Sequence, residues 1–136
     1  MANHVLPESS PRAIALPSLR AYHILHAGFT VLPILAGIDK FTHVLVNWDQ
    51  YLSPVFAGFL PFDGHVFMQA VGGVEIVAGV LVFFRPRLGG YIVAAWLWCI
   101  IINLITTGTY YDIALRDFGL SLGAISLAAL AGEKER

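Results

Sequence analysis

Charge is what this chain has least of. Asp, Glu, Lys and Arg make up 12% of its 136 residues, against roughly 25% in a soluble domain. The net charge is -1 and no Lys/Arg cluster occurs, so there is no basic surface to support nucleic-acid binding. A single cysteine, Cys99, excludes an intramolecular disulfide and a CxxC redox pair. Internal repeats and low-complexity tracts are missing as well. The first twenty residues lack a basic start and a continuous apolar stretch, and they carry Pro7, Pro11 and Pro17. They are expected to be a tail rather than a signal peptide.

What remains is apolar. Hydrophobic residues make up 57% of the chain and the mean hydropathy is +0.73. This length accommodates one domain with four spans of about 20 residues each. The spans are expected near Ala21 to His43, His65 to Phe84, Gly89 to Gly108 and Ile113 to Ala131. Arg85-Pro86-Arg87 stops the second span with a proline and two cations, so the second and third spans are antiparallel neighbours. The expected fold is an all-α membrane protein, a four-transmembrane-helix bundle with an interfacial segment between its first two spans. Its parts are a cytoplasmic tail 1–18, a membrane domain 19–132 and a short tail 133–136. Six of the eight basic residues fall on one side, at 12, 20, 85, 87, 134 and 136, with only Lys40 and Arg116 on the other. The positive-inside bias therefore places both termini in the cytoplasm.

The connection Val44 to Gly64 is too apolar for an ordinary loop. Asn47 and Gln50 resemble a capping arrangement. Trp48, Tyr51, Leu52, Val55 and Phe59 recur at helical spacing, interrupted by Pro54 and Pro61. Two arrangements suit this pattern: short helical pieces in the membrane interface, or a cap over the bundle mouth.

Each span carries one polar or small-residue stripe. The first has His23, His26, Thr30, Pro33, Gly37 and Lys40, and the second has Gly72, Glu75 and Gly79. Trp96, Cys99, Asn103 and Thr106 mark the third, with Asp117 and Ser121 in the fourth. Spacings of three and four put each set on one helix face. Glu75 is the most informative residue. It lies in the middle of the run Val66 to Phe84, about 15 Å deep in a bilayer. An ionised carboxylate facing lipid there costs several kcal/mol or more, so it must turn inward, find a partner or stay protonated. Gly72, Ala78 and Gly79 give it a small-residue face suited to close helix packing.

Each stripe has a plain structural reading beside the functional one. Asn103, Thr106 and Ser121 serve as interhelical packing groups, Cys99 as a small buried hydrophobe, and Lys40 as a side chain that snorkels to the headgroups. Asp39 and Asp117 are alternative partners for Lys40. His23 and His26 are spaced i, i+3 with no third ligand at their depth, so no metal site and no catalytic set is assigned. Pocket candidates are Glu75, Lys40, Asn103, Asp117, His26 and His23. Any pocket is expected to open under the Val44 to Gly64 segment, with Gly37, Gly72 and Gly119 leaving room for it.

The sequences AGIDKF, GGVEIVAGVLVFFRPRLGG and RDFGLSLGAISL resemble the DoxX-like membrane proteins over nearly all of residues 19 to 131. The resemblance implies a four-helix bundle in the bacterial cytoplasmic membrane, associated with redox complexes and quinone. Lys40 then matches the basic residue closing the first helix, Glu75 the glutamate of the second, and Arg116 and Asp117 the polar start of the fourth. Relatives with cysteine pairs differ from this chain, which has Cys99 alone. The expected function is a non-catalytic subunit or accessory protein of a redox complex, in contact with the bilayer and with other subunits or copies of itself. It carries no covalent cofactor, and quinone is the ligand implied. Two alternatives stay open: a homo-oligomer handling protons or a small solute through Glu75, and a purely structural subunit.

Overall fold

The computed structural model describes residues 15–135. They form four long helices with a short irregular segment between the first two. Helix α1 spans Leu16–Thr42, α2 is the single turn Pro54–Ala57, α3 spans Gly64–Phe84, α4 spans Pro86–Thr107 and α5 spans Tyr111–Glu135. A 3-10 turn, Trp48–Tyr51, precedes α2. All four long helices are long and apolar enough to cross a membrane, and the fold is the expected all-α bundle of a multi-pass membrane protein. Large apolar residues such as Ile24, Val77, Phe84 and Leu115 point outward from it, which places lipid rather than water against the outer faces.

Local chemistry sets the helix ends. Helix α1 starts at Leu16 rather than near Ala21, because Pro17 falls in its first turn, where a missing N–H breaks no hydrogen bond. Of the expected tail 1–18, residues 16–18 belong to α1, and residues 1–14 lie outside the described residues. At the other end α5 runs on to Glu135, through most of the expected tail 133–136; Arg136 lies outside the described residues. Pro33 sits inside α1 without ending it. His43 caps α1 in the left-handed region, its N–H bonded to the Asp39 carbonyl at 2.7 Å. Arg85 alone separates α3 from α4. Gly108, at φ 78°, ends α4 in a conformation that glycine adopts without strain.

Helix α1 packs most extensively on α3 and α4 on α5, while the contacts between these two pairs are slighter. Small residues make the first pairing close. A Cβ added at Gly72 would lie 2.6 Å from the Gly37 carbonyl oxygen, so the two backbones touch where the glycines cross. Gly37 and Gly72 thus bring helices together and leave no room for a pocket, contrary to the expectation above. Gly119, by contrast, faces open space. One core cluster, around Tyr22, Val82, Val93, Ala124 and Leu127, lies toward the end bearing the two termini. A smaller cluster of Ile101, Leu104 and Ala114 lies toward the opposite end.

Candidate functional site

The site begins at the last turn of α1, where two adjacent charges take different directions. Asp39 points toward the connecting segment and acts as its anchor. Its carboxylate accepts from Thr42 Oγ1 (3.1 Å), Val44 N (2.9 Å), Leu45 N (3.0 Å) and Trp48 Nε1 (2.7 Å). A carboxylate with this many donors is well satisfied although only 5% exposed. Lys40 turns the other way, into the bundle, and forms an ion pair with Glu75 of α3. Its Nζ also sits 3.8 Å from the centre of the Trp48 ring, a cation–π contact in a desolvated setting. Trp48 thus serves both charges, its N–H bound to Asp39 and its ring against Lys40.

The ion pair is enclosed, with side-chain exposures of 5% for Lys40 and 11% for Glu75. Lys40 therefore does not snorkel, and its partner is Glu75 rather than Asp39. Glu75 has turned inward and found a partner, two of the outcomes its depth allowed. Moving two charges out of water is costly, and only their mutual attraction and remaining contacts offset it. The pair stands beside a cavity of about 630 Å³, within the roughly 300–1,000 Å³ range of small-molecule sites. Its walls are mostly aliphatic and aromatic, and Lys40, Glu75, Arg116, Asp117, Trp96 and Asn103 bring the polar groups. Trp96 Nε1 is buried and has no hydrogen-bond partner among the described residues. An unmet buried donor loses its hydration without replacement, so a ligand acceptor there would be stabilised.

Four of the six pocket candidates, Lys40, Glu75, Asn103 and Asp117, meet on this one cavity. Asn103 is less available than its position suggests. Its Oδ1 accepts from Ser53 N at 2.9 Å and its Nδ2 donates to the Tyr51 carbonyl at 2.7 Å. Thr106 Oγ1 adds a 2.7 Å bond to Ser53 Oγ, so both residues hold the connecting segment onto α4. The other two candidates, His23 and His26, do not reach the cavity. His23 is exposed. His26 lies against Tyr22 and Phe83, and its Nε2–H donates to the Val82 and Phe83 carbonyls, 3.1 Å from each. That makes His26 a link between α1 and the end of α3. Cys99 is exposed instead of buried, and it lines the cavity.

The connecting segment combines the two arrangements left open by its sequence. Val46, Trp48, Tyr51, Leu52 and Phe56 line the cavity, so the segment caps it. Val44, Leu45, Phe59 and Phe62 are exposed at the same end, as an interfacial piece would be. Asn47 caps the 3-10 turn by accepting from Asp49 N at 3.1 Å. Trp48 is the residue of this arrangement that the sequence reading undervalued, since helical spacing marked it only as one of five recurring apolar and aromatic positions. A second group also went unread: His43, Asp49 and His65, which come from three different elements, lie close enough to hold a metal ion together. No family model, curated protein or solved structure matches this chain.

Proposed function

We propose that the chain is a small integral membrane subunit that holds a quinone in this cavity for a partner redox enzyme. The observation that carries the reading is the cavity itself, an apolar and aromatic slot with cationic and N–H donors on its wall. A quinone ring needs flat apolar contact and one or two donors for its carbonyl oxygens. Here Lys40, Arg116 and the unpartnered Trp96 Nε1 supply donors, and Phe29, Phe56 and Phe67 supply apolar surface. Asp117, on the same wall, is a carboxyl group that could exchange a proton with a bound ring. The reading agrees with the DoxX-like resemblance of residues 19 to 131. In it the membrane is the bacterial cytoplasmic one, both termini are cytoplasmic, and the connecting segment faces outward where a partner can dock.

The test is purification of the full chain in mild detergent with native lipid, followed by solvent extraction and assay for quinone. Titration with a short-chain quinone then follows tryptophan emission, since Trp48 and Trp96 both line the cavity. Co-extracted quinone and saturable quenching are expected, with affinity weakened about tenfold or more in Lys40→Met, the loss of one charge-assisted hydrogen bond. No retained quinone together with unsaturable quenching identical in wild type and Lys40→Met overturns the proposal.

A further inference from the structure

The connecting segment returns to the bundle beside a cluster that the cavity does not include. His43 caps α1, Asp49 lies in the 3-10 turn and His65 is in the first turn of α3. One donor atom from each lies within 4.8 Å of the other two. The His43 and His65 ring centres are 5.3 Å apart, and His65 Nδ1 is hydrogen bonded to Asp49 Oδ2 at 2.8 Å. We propose that His43, Asp49 and His65 form a binding site for a divalent first-row transition ion of the zinc class.

Three observations support it. The first is chemical: two imidazole nitrogens and a carboxylate oxygen are a borderline donor set suited to zinc and its neighbours and poorly suited to calcium or magnesium. The second is that the set is incompletely satisfied. His43 Nε2 and Asp49 Oδ1 are buried with no hydrogen-bond partner among the described residues, although buried polar atoms are normally paired. The third is the backbone at His43. Its φ of 52° is the only positive value at a non-glycine among the described residues, and this region costs an L-residue roughly 1–2 kcal/mol. Glycine or asparagine is the usual cap there, and in this chain the cap is a histidine whose ring joins the cluster.

The spacing also suits the ion. Zinc bonds of about 2.0–2.2 Å in a tetrahedron put neighbouring donors about 3.3 Å apart. The three atoms, within 4.8 Å of one another, would have to draw together to that separation on binding. The contact between His65 Nδ1 and Asp49 Oδ2 then opens around the ion, and the imidazole proton moves to Nε2. Three protein ligands leave a fourth position for water. Since Asp49 follows Trp48, a bound ion also fixes the turn that carries the indole beside Lys40. None of the three ligands is itself part of the cavity wall.

The experiment uses the full chain without a polyhistidine tag, purified in detergent, treated with chelator and dialysed against zinc chloride. Bound zinc is measured by elemental analysis. Cobalt(II) substitution gives a visible absorption band that reports the ligand set. One zinc per chain is expected, together with a zinc-dependent rise in thermal midpoint. His65→Ala and Asp49→Asn should each weaken binding by more than about tenfold. His43→Gly should do the same, and because glycine is at ease at φ 52° it removes the ligand without adding backbone strain. His26→Ala, away from the cluster, should bind as wild type. Less than one zinc per chain in the wild type overturns the site. So does zinc binding, or a cobalt spectrum, that is unchanged in His43→Gly and His65→Ala.

Discussion

Lys40 and Glu75 are each too costly to bury alone, and the bundle supplies each with the other. Removing one charge from such a pair leaves the other without compensation, a loss of about 3–5 kcal/mol. Glu75→Gln and Lys40→Met should therefore each destabilise the folded chain by about that much, measured by unfolding in mixed micelles. Lys40→Met/Glu75→Gln should be no worse than either single change, because no charge is stranded. Strict additivity of the two losses would show that the residues act separately. That Glu75 must turn inward, find a partner or stay protonated was legible in the sequence, since an ionised carboxylate at that depth is costly against lipid. Which partner was not legible. Asp39, Asp117 and Glu75 were all plausible for Lys40, and the choice depended on Asp39 being taken up by the backbone of Val44 and Leu45 and by Trp48, contacts set by the fold of a loop.

Among the helices, two adjacent glycines of α3 have opposite duties. Gly72 faces Gly37 across the α1–α3 crossing, and an added Cβ would also come within 3.0 Å of Lys40 Cβ. Gly73 has nothing within 4 Å of the same position. Gly72→Ala should therefore destabilise by about 1–3 kcal/mol through overpacking. Gly73→Ala should stabilise by about 0.5–1 kcal/mol, the ordinary helix preference for alanine over glycine. Changes of the same sign in thermal unfolding would contradict this assignment of faces. The long helices were readable because hydropathy, prolines and small-residue stripes all agree on them. Helix ends were less so: Pro17 reads as a breaker in a list of prolines, yet in the first turn it is compatible with the helix. The cluster at residues 43, 49 and 65 could not be read at all, because its members share no helical period and meet only when the segment folds back.

For the whole molecule, the question is what holds the two helix pairs in relation to each other, since α1 and α3 touch α4 and α5 only lightly. Part of the answer is the connecting segment, fastened at Trp48 to α1 through Asp39 and at Tyr51 and Ser53 to α4 through Asn103. Asn103→Leu strands the Ser53 N–H and the Tyr51 carbonyl, and a lost buried partner costs about 1–3 kcal/mol. Hydrogen exchange over residues 48–58 should quicken about tenfold or more while the middle of α3 stays protected. Equal acceleration everywhere would mean that the bond supports the global fold rather than this segment. The double fastening also has a mechanical implication. A strap tied to both pairs at one end of the bundle sets the gap between them there, much as a clasp sets the opening of a pair of jaws. The width of the slot is then governed by a segment outside the long helices, and a protein that gripped the exposed side of this strap could widen or narrow the slot without entering it.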